Sequence, residues 1–79
     1  KLAMVERAED LLREQGFRQF RVRIHGTNAR IELLPEDIPR MLDENIRKEI
    51  VDKLKRYGFT YITLDLEGYR TGSMNEVLV

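Results

Sequence analysis

The 79 residues carry 42% apolar and 35% charged side chains, a mix that suits one small folded domain rather than a disordered tail. A chain this short buries only roughly 60% of its unfolded surface, so its core is thin. Basic and acidic residues balance at 14 each, which removes the whole-domain positive field of a non-specific nucleic-acid binder and makes any anion site local.

The absence of cysteine excludes a thiol nucleophile, a cysteine metal site and a disulfide framework for this chain. It fits a cytoplasmic location, and no apolar run approaches the ~18 residues of a membrane span. Lys1 already stands inside the first helical pattern, so the chain is expected to be a single-domain module of a longer protein.

From Leu2 to Gln15 the apolar positions Leu2, Val5, Ala8, Leu11 and Leu12 recur at three- and four-residue spacing, predicting an amphipathic helix that Gly16 ends. The period then drops to two. Phe17 to His25 places Phe20, Val22 and Ile24 on one side and Arg21, Arg23 and His25 on the other, and Asn28 to Leu34 alternates in the same way.

The intervening Gly26-Thr27 has glycine where a type II′ turn needs it. A two-residue loop pairs Ile24 with Ala29, Val22 with Ile31 and Phe20 with Leu33, keeping the apolar residues on one face, whereas a three-residue loop would mix the faces. The same register sets Arg21 opposite Glu32 and Arg23 opposite Arg30, and like charges directly opposite are unfavourable.

Pro35, Glu36 and Asp37 suit a short helical turn, limited by Pro39. Asp43 is the expected N-cap of a second long helix through Tyr57, with the stripe Ile46, Ile50, Val51 and Leu54, and Gly58 ends it. Phe59 to Leu66 reads as a third strand with Ile62, Leu64 and Leu66 inside and Tyr61, Thr63 and Asp65 outside. Residues 67–79 read as an irregular tail. The expected fold is therefore α+β, a small two-layer sandwich in the order helix, hairpin, helix, strand, with a three-stranded mixed sheet and helices on one face.

Planar guanidinium groups bind phosphate or carboxylate oxygens bidentately, so Arg21, Arg23 and Arg30, with His25 beside them, form a candidate oxyanion site. A solvated strand face would carry the same residues. Glu9 and Glu32 are candidate pocket or metal carboxylates, or simple surface charges, Glu32 then being the ion-pair partner of Arg21. His25 alone makes neither a multi-ligand metal site nor a nucleophile–base pair, and reads as a turn-flanking residue. The stretch from Glu67 to Asn75, with Arg70 and Ser73, offers secondary contacts to a ligand or a neighbouring domain. As a free-standing unit the chain would be an interaction module that uses its arginine hairpin to contact RNA or a protein partner.

Residues 16–23 (GFRQFRVR), 29–32 (ARIE) and 64–76 (LDLEGYRTGSMNE) resemble the carboxy-terminal part of the ATP-dependent sacrificial sulfur transferases (LarE family), which serve nickel-pincer cofactor biosynthesis and lactate racemase maturation. The resemblance implies an amino-terminal PP-loop ATP pyrophosphatase domain in the parent, which adenylates a carboxylate of a pyridinium mononucleotide. A cysteine thiolate then attacks and gives up its sulfur, leaving dehydroalanine.

By the same resemblance Arg21 and Arg23 match an R-x-R pair that holds a substrate phosphate, and Glu9 and Glu32 match acidic positions near a divalent cation. Phe20 departs from the smaller aliphatic residue common in the family. ATP and magnesium are implied for the parent, none for this chain, which is not catalytic alone. The implied partners are the PP-loop domain, the mononucleotide and further copies in a homo-oligomer, with no membrane and nucleic acid disfavoured.

Overall fold

The computed structural model describes residues 2–70. Helix α1 (Leu2–Glu14) leads into a hairpin of β1 (Phe20–His25) and β2 (Asn28–Leu33). A 3-10 turn (Pro35–Asp37), a single-turn α2 (Ile38–Met41) and α3 (Glu44–Arg56) follow, and β3 (Tyr61–Leu64) completes the sheet. Strand order is β1-β2-β3, with β2 antiparallel to β1 and parallel to β3. The α+β reading holds, and β2 proves to be the central strand, which alternation alone does not reveal.

The hairpin register is the expected one: Ile24 faces Ala29, Val22 faces Ile31 and Phe20 faces Leu33. Gly26 has φ +60 and no non-glycine residue among those described has positive φ, the pattern of a type II′ turn, in which only the first central residue must adopt the left-handed side. The turn is also tied to the start of β3, since the Thr60 N–H donates to the Thr27 carbonyl (2.8 Å) and the two threonine hydroxyls lie 2.7 Å apart.

Both long helices close with Schellman hydrogen bonds. Phe17 N–H donates to Leu12 O and Gly16 N–H to Arg13 O, while Phe59 N–H donates to Leu54 O and Gly58 N–H to Lys55 O. Each motif drops a buried phenylalanine under the helix it ends. At the other end of α3 the Asp43 carboxylate accepts from the N–H groups of Asn45 and Ile46, so the expected N-cap forms. Pro39, rather than stopping the helical stretch, sits in the first turn of α2, where its missing N–H has no helical partner to lose.

The core lies between the helices and one sheet face: Ala8, Leu11 and Leu12 of α1, Ile50 and Leu54 of α3, and Val22, Ala29, Ile31 and Leu33 of the sheet. Two apolar residues expected inside are outside. Leu2 is 74% exposed and Leu66 is 82% exposed. Leu66 is displaced because β3 stops at Leu64 and the chain turns. Asp65 Oδ1 accepts from Glu67 N–H and Asp65 O accepts from Gly68 N–H, an Asx-type turn that ends the alternation. No helix among the described residues is long and apolar enough to cross a membrane.

Candidate anion-binding site

The sheet face away from the helices carries Arg21, Arg23 and His25 from β1, Arg30 and Glu32 from β2, and Tyr61 and Thr63 from β3. Its centre is Glu32, a carboxylate only 2% exposed. One oxygen, Oε2, accepts from Arg23 Nε–H at 2.8 Å and from an Arg30 Nη2–H at 3.1 Å. Asp65 Oδ2 stands 3.9 Å from Arg30 Nε.

This arrangement revises the ion pair expected from the register. Arg21 is the backbone partner of Glu32, yet the carboxylate leans along the strand to sit between Arg23 and Arg30, the two like charges that face each other. The conflict is thereby answered within the chain, at the position where desolvation makes a charge-assisted hydrogen bond strongest. Glu32 Oε1 is buried without a hydrogen-bond partner.

Arg21 is left with a different neighbour. Its Cζ lies 5.5 Å from the ring centroid of Tyr69, and among the described residues its guanidinium makes no hydrogen bond or ion pair with an acidic group. Tyr69 reaches it because the chain, after the turn at Asp65, crosses the end of β2 and donates the Tyr69 N–H to the Leu33 carbonyl. Strand alternation already set Asp65 on this outer face with Tyr61 and Thr63, but it missed Tyr69. The one signal for Tyr69 was the glycine-centred run after the last strand.

The other candidates are more scattered. Glu9 is half-buried on α1, His25 is exposed at the end of β1, and Arg70 is half-buried and pairs with Glu67 at 2.9 Å. Ser73 lies outside the described residues. Among the described residues no three acidic or histidine side chains gather as metal ligands. An apolar recess of about 170 Å³ opens elsewhere, between α3 and β3, lined by Leu42, Val51, Ile62 and Leu64 among others. On the outer side of α3 the pKa of Lys53 is raised above 10.5 by its hydrogen bond to Glu49 and by that carboxylate's charge.

On the arginine face, three guanidiniums stand against the carboxylates of Glu32 and Asp65, which leaves one net positive charge over a rigid strand pair. Such a face can hold a small oxyanion. Over 77 residues, 98% of the chain, the sequence is 46% identical to pyridinium-3,5-bisthiocarboxylic acid mononucleotide synthase of Lactiplantibacillus plantarum. The chain is similar to one region of that synthase. It is also 47% identical, over 99% of its length, to an uncharacterised protein of Synechocystis. It spans 27% of the synthase and 29% of the Synechocystis protein, so the likeness concerns one short region of each. No family model matches the chain.

Proposed function

We propose that this chain is the accessory substrate-phosphate-binding and assembly domain of an ATP-dependent sulfur transferase that acts on a pyridinium mononucleotide in nickel-pincer cofactor biosynthesis. The observation that carries the reading is the arginine face itself, found within a region 46% identical to a synthase whose name specifies a mononucleotide. A mononucleotide bears one phosphate ester, a ligand that a guanidinium fork recognises through two parallel hydrogen bonds.

In this reading Arg21 meets the phosphate, and Glu32 keeps the Arg23 and Arg30 guanidiniums aligned beside it. ATP, magnesium, the PP-loop domain and the sulfur donor belong to the rest of the parent, since this chain contains no cysteine. Glu32 is the acidic member of this site, whereas Glu9, carried by α1 in the helix layer, stands apart from it. A cation at Glu32 would compete with the two guanidiniums that already draw on Oε2. Arg70 and Ser73 supply secondary contacts, and the remaining surface serves assembly with the amino-terminal domain and with further copies.

The test is sulfur transfer by the full-length parent. A charge-assisted hydrogen bond contributes about 1.5–3 kcal/mol, so Arg21→Ala raises KM for the mononucleotide by about tenfold or more. Arg21→Ala combined with Arg23→Ala raises it further. Unchanged kinetics in the double variant would sink the proposal.

A further inference from the structure

Tyr69 and Arg40's partner Phe17 both lie against a guanidinium, and the contrast between the two pairs is informative. Arg40 Cζ is 4.5 Å from the Phe17 centroid, and the same guanidinium donates to the Gln15 carbonyl at 2.7 Å and the Gly16 carbonyl at 3.3 Å. Its donors are used to hold the end of α1. Arg21 has the ring, at 5.5 Å, without such acceptors among the described residues.

The ring is delivered by a purpose-shaped turn. Gly68 has φ +88, and a Cβ there would stand 2.7 Å from the Leu33 carbonyl oxygen and 3.3 Å from Pro35 Cγ. Only glycine lets the turn lie this close to the end of β2, and that approach is what allows the next residue, Tyr69, to hydrogen-bond Leu33 and swing its ring over β1.

From this geometry we infer that Tyr69 is a positioning residue for Arg21, holding its guanidinium against the ring so that its N–H edge is presented to an incoming phosphate. The inference rests on the phosphate-binding reading above. A ring attracts a guanidinium through its quadrupole while leaving the in-plane donors unspent. Fixing the side chain in advance reduces the rotamer freedom lost when the anion arrives.

The test uses the 79-residue chain with inorganic phosphate and nicotinamide mononucleotide as probes, followed by NMR at the arginine side-chain N–H signals. Tyr69→Leu weakens binding of both probes about two- to fivefold, and Tyr69→Phe, which keeps the ring, restores it. In the Arg21→Ala background Tyr69→Leu adds nothing, because a positioning residue acts only through the group it positions.

Arg21→Ala protein that binds as tightly as the unaltered chain overturns the phosphate-binding reading. If Arg21→Ala weakens binding while Tyr69→Leu does not, the inference about Tyr69 alone fails. It fails equally if Tyr69→Phe behaves like Tyr69→Leu, or if the two losses simply add. No shift in the unaltered chain at high-millimolar phosphate overturns both.

Discussion

The two faces of β2 show one strand held by two kinds of physics. Toward the helices, Ala29, Ile31 and Leu33 are fully buried among Ala8, Leu11, Ile50 and Leu54, and each is replaceable by anything of the right shape that stays apolar. On the opposite face Arg30 and Glu32 depend on direction: a single carboxylate oxygen serves two guanidiniums at 2.8 and 3.1 Å. Area removed from water stabilises the first face, with no angular requirement. The second carries little net stability, because desolvating ions offsets most of their attraction, and it fixes geometry instead. A sheet with one face of each kind has a scaffold and a site that can be changed separately.

The largest expected effect comes from breaking the apolar face. Ile31→Ala removes a side chain 1% exposed at the middle of the central strand and costs about 2–5 kcal/mol, a large share of the stability of so small a domain. Urea unfolding measures it. A cost below about 1 kcal/mol would mean that this part of the core collapses around the gap, and the contrast between rigid scaffold and separable site would weaken.

How much of this was legible follows the same division. Period-two alternation in Phe20–Ile24 and Ala29–Leu33, with a turn of fixed length at Gly26-Thr27, settled which residues share a face and which backbone positions pair. Backbone register is a matter of parity, and parity is written in the sequence. The partner of a long charged side chain is not. A glutamate reaches several ångströms along the strand, so Glu32 bonds diagonally to Arg23 and along its own strand to Arg30 rather than to Arg21, its backbone partner. The strand order was hidden for another reason, since the four residues of β3 could pair with either hairpin edge and alternation is the same in both cases. Leu66 misled because the alternating pattern continues through an Asx turn that the aspartate side chain imposes. The arginines of the candidate site could be named, whereas Tyr69, brought in by a turn after the last strand, could not.

A middle effect is expected at the centre of the charged face. Glu32→Leu leaves Arg23 and Arg30 opposed without the carboxylate between them. Breaking a fully buried pair would cost about 3–5 kcal/mol, but the Arg23 and Arg30 side chains are 18% and 39% exposed and can turn to water, which lowers the expected cost to about 1–3 kcal/mol. Glu32→Gln, which keeps an acceptor oxygen, loses less. Melting temperatures of the two variants check the order. Glu32→Leu protein less stable than Ile31→Ala protein would reverse the assignment of scaffold and site.

The smallest effect sharpens the comparison most. If Arg21 belongs to the site rather than the scaffold, Arg21→Ala should cost under about 1 kcal/mol, the worth of an exposed ring contact, while abolishing most of the phosphate response. Its charge has no carboxylate partner among the described contacts, so its removal strands no buried group. Arg23→Ala differs, because it takes a hydrogen bond from the buried Glu32 carboxylate, and both its stability and its binding should fall. Side-by-side unfolding and phosphate titration of the two variants separate the roles: Arg21 moves binding alone, Arg23 moves both. Equal losses of stability would show that the two arginines of the R-x-R pair are one structural unit, with the division running between strands rather than between neighbouring side chains.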